Sequence, residues 1–347
     1  MSPKKKMQYV RLGNSGLKVS RFIFGTMHYG HKAYGEWVID DEEEAIQHVK
    51  YAYDQGIQTF DTADSYSNGL SEIMLGKAIK KLKLPRDEIV VMTKTGMART
   101  RELDGPNVLA TGANPDEIGL VNQWGLSRKQ LFDAIKGSLK RLQLDYVDLF
   151  QCHRFDNNTP IEETMHALHD IVKAGYARYI GMSSCHAYQF HAMQNYAIAN
   201  NLTPFISMQN HYNLLYREEE REMYPTLKMF KVGSMPWSPL AGGVLSRPLT
   251  KQSKRSGTDW FLQFYNQGAK DNIINRVEEV ATKRGISMAK IALAWTLHKD
   301  VVTAPVVGFT NFDQLREIIG ALDVKLTPEE IKYLEEPYRP IGIIGHY

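Results

Sequence analysis

Short apolar, β-branched runs recur along this chain at nearly even intervals, each followed by a segment of helical period. That alternation limits the fold more than any other feature. Eight strand candidates stand between turn signals: RFIFGT at 21–26, IQTFD at 57–61, EIVVMTK at 88–94, YVDLFQCH at 146–153, ARYIGMS at 177–183, PFISMQ at 204–209, VGSMPWS at 232–238 and VVTAPVVG at 301–308. Between them, DEEEAIQHVKYAYDQ, LSEIMLGKAIKKL, SRKQLFDAIKGSLKRLQ, TPIEETMHALHDIVKAG, NIINRVEEVATKRG and SMAKIALAWTLHKD read as helices. Acidic residues open the first of these, Ser127 is placed to cap the third, and Thr159 followed by Pro160 opens the fourth.

Strand then helix, eight times over, predicts a parallel sheet. At roughly 30 residues per unit the sheet closes, so the expected fold class is α/β, a (β/α)8 TIM barrel. Two intervals run long, within 96–126 and 242–270, and are expected to be structureless functional loops at the C-terminal face of the barrel. MQYVRLGNSGLKVS at 7–20 reads as a hairpin that could plug the opposite end. A single domain over 1–347 is expected, with tail and hairpin in 1–20 and a C-terminal tail, 333–347, near the pocket.

Composition excludes several classes. Net charge is only +3, which argues against a nucleic-acid partner, and Lys4-Lys5-Lys6 reads as a solvated tail. Two cysteines, Cys152 and Cys185, make no disulfide framework, and no apolar run reaches the roughly 20 residues that span a membrane. A cytoplasmic protein without a membrane partner is expected; oligomeric state is not legible.

Active sites of such barrels lie at the C-terminal ends of the strands. The polar residues there are Asp61, with Tyr66 five residues on, then Lys94, His153, Ser183, Ser184, Gln209 and Asn210. A phenol ionises only near pH ~10. A nearby ammonium stabilises the phenolate, and a carboxylate such as Asp61 offsets the cost of burying that ammonium. Tyr66 could then protonate a carbonyl oxygen as charge builds on it, with the His153 imidazole giving a second hydrogen bond. Each residue alone is more often structural; together, at successive strand ends, they point to carbonyl reduction.

FDTADSY at 60–66, TKTG at 93–96, NQWGLSRK at 122–129, QCHRFD at 151–156 and WSPLAGG at 237–243 stand in order along the chain. With these motifs the sequence resembles the aldo-keto reductases, in particular the aryl-alcohol-dehydrogenase-like branch. The resemblance implies a tetrad of Asp61, Tyr66, Lys94 and His153, with Tyr66 as general acid, and NADP(H) extended across the barrel mouth. It implies that Ser183, Ser184 and Gln209 hold the nicotinamide carboxamide and that Trp237 stacks on the ring. Ser238, Leu240, Ala241 and Gly243 would line the pyrophosphate, and Gly308, Thr310, Gln314 and Glu317 the far end of the cofactor. The chain departs from the pattern where Ser184 replaces the usual asparagine, where Ile318 stands at another common asparagine, and where basic residues are missing at Gly308, Thr310 and Gln314. Arg255 in the second long loop could supply the charge.

No GxGxxG follows a strand, and neither HExxH nor CxxC occurs, so no Rossmann site and no metal are expected. Met27, Tyr29 and Trp124 are candidate walls of a pocket for aryl or alkyl aldehydes. The expected function is NADP(H)-dependent reduction of aldehydes or ketones to alcohols. The alternatives are an NADPH-binding regulatory subunit, whose relatives tend to lack the histidine, and a Schiff-base aldolase acting through Lys94.

Overall fold

The computed structural model describes residues 7–346, with Lys254 by its backbone alone; Lys4–Lys6 lie outside the described residues. Two short antiparallel strands come first, β1 (Tyr9–Arg11) and β2 (Lys18–Ser20). Eight parallel strands follow: β3 (Ile23–Gly25), β4 (Thr59–Asp61), β5 (Val90–Thr95), β6 (Val147–Cys152), β7 (Ala177–Ser183), β8 (Ser207–Gln209), β9 (Gly233–Ser234) and β10 (Val306–Val307). Each pairs with the next in chain order, and β10 returns to pair with β3. Parallel bridges Ser234↔Val302 and Trp237↔Val306 join the last two strands and close the ring. The barrel expected from the sequence is the one observed, with all eight strands in their assigned places.

The helices between them are α1 (Glu42–Asp54), α2 (Leu70–Lys81), α3 (Val108–Thr111), α4 (Arg128–Leu142), α5 (Ile161–Lys173), α6 (Ala187–Ala199), α7 (Met223–Phe230), α8 (Lys254–Thr258), α9 (Lys270–Arg284), α10 (Met288–His298), α11 (Phe312–Gly320) and α12 (Pro328–Glu335). Ser127 caps α4, accepting from the Gln130 amide. Thr159 does not cap α5. Its hydroxyl donates to Asp156, and Pro160 takes the capping position without a side-chain bond. The two long loops are not structureless either: α3 lies in the first, and α8 with a 3₁₀ turn at Trp260–Tyr265 in the second.

Side chains alternate across each strand, which gives two cores. The outer one packs strand residues such as Phe60, Val91, Phe150 and Cys152 against the helices. The inner one fills the barrel with Ile23, Val90, Met92, Leu149, Met235, Ala304 and Val306, and Leu12 and Val19 of the hairpin join it. The hairpin therefore plugs the lower end. Its turn is pressed so close that a Cβ on Gly13 would sit 2.6 Å from the Gly233 nitrogen and 2.7 Å from the Lys231 oxygen. Above Met92 and Leu149 the next inward positions are the buried polar residues Lys94 and Gln151.

Candidate active site

Strand period decides what reaches that upper layer. Along β5, Val90, Met92 and Lys94 face inward; along β6, Leu149, Gln151 and His153 do so. Lys94 is sealed from water, as is Asp61 at the end of β4. The Lys94 ammonium spends its three protons on Asp61 Oδ2, on the Thr62 carbonyl at 2.8 Å and on the Tyr66 hydroxyl oxygen at 3.2 Å. Burial alone would pull the lysine's pKa down; the charges of Asp61 and Tyr66 outweigh it, and the net direction is up. An amine whose charged form is favoured and whose three protons are committed is a poor nucleophile, which weighs against the Schiff-base alternative.

With its oxygen already accepting from Lys94, the Tyr66 hydroxyl has its own proton free to give. The His153 ring stands edge-on to the Tyr66 ring, with centroids 5.7 Å apart. Burial first, then the charges of Arg154 and Lys94, hold this imidazole well below its usual pKa, so it is neutral. Its Nδ1 lies 3.5 Å from the Ser65 hydroxyl. A neutral imidazole presents one N–H and one acceptor. The four residues expected to act together therefore meet at the mouth of the barrel.

Beneath them lies a part that the sequence did not reveal. Asp61 Oδ1 accepts from Gln151 Nε2 and from Gln209 Nε2, each at 3.0 Å, and Gln209 Nε2 also donates to Gln151 Oε1 at 3.1 Å. Behind β5, on its helix side, Thr95 donates to Asp64 at 2.6 Å and Thr93 to Glu72, which Arg141 also binds. Burial, and next Glu72, push the Asp64 carboxyl up to about 7.

Around the mouth, Ser183 donates to the Gln209 carbonyl at 2.7 Å. Ser184 sits in left-handed backbone (φ +36°) and accepts from the Trp237 indole at 3.0 Å. One face of Trp237 is stacked on His211, 4.1 Å away and nearly parallel, and His211 stacks in turn on Tyr216. The indole is half-buried, with the Arg154 guanidinium 5.8 Å over its ring and Phe261 tilted 5.7 Å away. After it, Ser238, Ala241, Gly242 and Gly243 all have positive φ and fold Leu240–Gly243 into a tight cradle of backbone. Arg255 lies against it, bonded to Asp259 at 2.7 Å and stacked 4.4 Å over Trp37. Gly308, Thr310, Gln314 and Glu317 gather at the start of α11. There Asn311 caps Gln314, Gln314 receives the Thr310 amide, and Glu317 pairs with Lys290.

The pocket candidates divide. Met27 is half-buried beside Thr26 at the end of the first barrel strand. Trp124 stays in its own loop, its indole bonded to Asp116 at 2.7 Å. Tyr29 faces away from the mouth. The turn Tyr29 N to Thr26 O breaks the strand period, and the ring is buried among Phe24, His28 and His48 in the helix layer. Tyr34, not singled out from the sequence, lies near enough to feel both Tyr66 and Asp259, behind burial as the main influence that raises its pKa. No group of metal-ligating side chains occurs among the described residues, and no helix there is long and apolar enough to cross a membrane.

The model of the Aldo/keto reductase family matches residues 21–339. The chain belongs to the aldo/keto reductase family. A Schizosaccharomyces pombe protein named as a candidate aryl-alcohol dehydrogenase is 47% identical over 344 residues, 97% of each chain. The versiconal hemiacetal acetate reductase of Aspergillus parasiticus is 46% identical, over 97% of this chain and 98% of its own. The Alternaria alternata aldo-keto reductase AFTS1 is 45% identical, over 97% and 93%. Membership makes the chain an oxidoreductase of small carbonyl compounds that works with a nicotinamide cofactor.

Proposed function

We propose that this aldo/keto reductase is an NADP(H)-dependent reductase of aldehydes and ketones, aryl or alkyl aldehydes foremost, with Tyr66 as the general acid. The observation that carries the reading is the bonding of Lys94. All three of its protons are committed, one of them to the Tyr66 oxygen, so the phenol's proton points elsewhere and its conjugate base sits beside a fixed cation. Asp61 keeps that cation charged in a site closed to water. The neutral His153 imidazole donates to the same carbonyl oxygen and orients it.

The residues present fit the cofactor. Gln209 and Ser183 offer acceptors for a carboxamide, the half-buried indole of Trp237 suits an aromatic ring, and the Ser238–Gly243 cradle, with Arg255 against it, suits a diphosphate. Ser184, Leu240, Ala241, Gly308, Thr310, Gln314 and Glu317 complete the groove. Bound NADPH supplies the hydride. Arg255 is the cation that favours the phosphorylated dinucleotide. Met27 and Tyr34 flank the place left for substrate, and relatives named as candidate aryl-alcohol dehydrogenases agree with an aromatic carbonyl. The chain acts as one domain in the cytoplasm.

The test is NADPH oxidation with 4-nitrobenzaldehyde, repeated with NADH, on wild type and Tyr66→Phe. The variant should bind NADPH as wild type does and lose turnover by about 10²- to 10⁴-fold. Turnover that survives in Tyr66→Phe sinks the assignment of the acid. Tight NADPH binding with no aldehyde reduced would favour the regulatory alternative.

A further inference from the structure

The carboxamide of Gln209 has two ends, and the surroundings accept only one orientation. Asp61 Oδ1 and Gln151 Oε1 both face the same atom of Gln209, at 3.0 and 3.1 Å. A carboxylate held against an ammonium has no proton to give. Gln151 is itself oriented by Asp61, because its Nε2 donates to that carboxylate at 3.0 Å and its oxygen is thereby left for Gln209. If the Gln209 amide turned over, its oxygen would meet two acceptors at once and two hydrogen bonds would become two repulsive contacts. The triangle of Asp61, Gln151 and Gln209 is consistent in one arrangement only, and every corner is buried.

We propose that Gln151 is a positioning residue that fixes the polarity of the Gln209 amide, so that the mouth presents the Gln209 oxygen as an acceptor for the N–H of a primary carboxamide. This rests on the nicotinamide reading above. Both N–H groups of Gln209 are spent below, on Asp61 and Gln151. Its Oε1 has no hydrogen-bond partner among the described residues and is not one of the side-chain atoms closed off from solvent. Ser183, whose proton goes to the Gln209 backbone carbonyl, likewise has only lone pairs left to offer. Two acceptors at one place select a ligand with two N–H groups, which a nicotinamide carboxamide has and a methyl ketone of the same shape lacks. Asp61 thus acts twice. One carboxylate oxygen holds the charge of Lys94 and the other sets the polarity of the cofactor clamp.

The experiment compares binding of NADPH and of its 3-acetylpyridine analogue, in which a methyl ketone replaces the carboxamide, by quenching of intrinsic tryptophan fluorescence. Wild type should prefer NADPH. In Gln151→Leu the second acceptor that holds Gln209 is gone, and NADPH should bind about five- to tenfold more weakly, the loss of roughly one hydrogen bond. The analogue's affinity should stay within about twofold, so the discrimination shrinks rather than binding as a whole. Gln151→Met, which keeps the length and flexibility of the side chain, should behave the same way and serves where the leucine variant folds poorly. Parallel weakening of both ligands would mean that Gln151 only supports packing, and would overturn the proposal. So would a wild type that binds the two equally well, a result that needs no variant. If wild type binds neither dinucleotide, it is the cofactor reading that has failed, and this inference falls with it.

Discussion

Replacing Lys94 with methionine takes the cation out of a pair whose members are both shut off from water. Asp61 would then be left with two amide donors, Gln151 and Gln209, and no positive charge. Removing one member of a buried pair costs about 3–5 kcal/mol, because the survivor remains desolvated. The apolar, unbranched methionine fills the lysine's space, so the loss is electrostatic rather than a cavity. Adding Asp61→Asn removes the stranded charge, while the asparagine oxygen can still accept from both glutamines. The double variant should therefore recover all but about 1–2 kcal/mol, which makes it about 2–3 kcal/mol more stable than Lys94→Met alone. Denaturant unfolding of wild type, both single variants and the double variant measures this cycle directly. Activity should not follow stability: both Lys94→Met proteins should lose neutral-pH turnover by about 10²-fold or more, since Tyr66 lacks its cation in each. Two results would refute the reasoning. One is Lys94→Met unfolding at the wild-type denaturant midpoint; the other is a refolded double variant with normal turnover.

A second prediction concerns pH. The Asp64 carboxyl titrates at about 7 when folded, raised by burial and by Glu72, against about 3.9 unfolded. Between those values the folded chain binds the extra proton, so this residue's effect on stability worsens as pH rises through the window. Asp64→Asn, which can still accept from Thr95, should be nearly neutral near pH 4 and stabilise the fold increasingly as pH rises through 7, by up to ~4 kcal/mol, read as a Tm that rises relative to wild type. A Tm difference that is constant across that range would show that Asp64 does not titrate there. A third concerns the plug. Gly13→Ala combines a left-handed backbone (φ +58°) with contacts below 3 Å to backbone atoms of Gly233 and Lys231 that cannot yield. It should cost about 2–4 kcal/mol in denaturant unfolding while kcat/KM for an aldehyde is unchanged, because the hairpin lies at the other end of the barrel. An unfolding midpoint equal to wild type would remove the tight packing assigned to that turn.

The tetrad was legible because its positions follow from local rules. Strands were marked by apolar runs, their ends by turn residues, and a barrel places its chemistry at those ends. The inward direction of Lys94 and the outward direction of Cys152 follow from strand period alone. The same period, carried from Leu149 through Gln151 to His153, would have pointed Gln151 inward as well. What period cannot say is whom an inward residue meets. Gln151 reaches Asp61 across 90 residues of chain, and Gln209 reaches it across 148. Tyr29 shows the complementary limit, since one turn after Gly25 ended the strand period and sent the ring into the helix layer.

Taken by itself, then, the amino-acid sequence determined the order of strands and helices, the hairpin ahead of them and the strand-end positions of Asp61, Tyr66, Lys94 and His153, because each depends on neighbours a few residues away. The structure decided the triangle under Asp61, the stack of Trp237 on His211 and Tyr216, and the turns inside the two long loops. Those depend on the stagger with which eight strands close into a ring, which sets the heights at which distant side chains meet and is written in no local stretch of the chain.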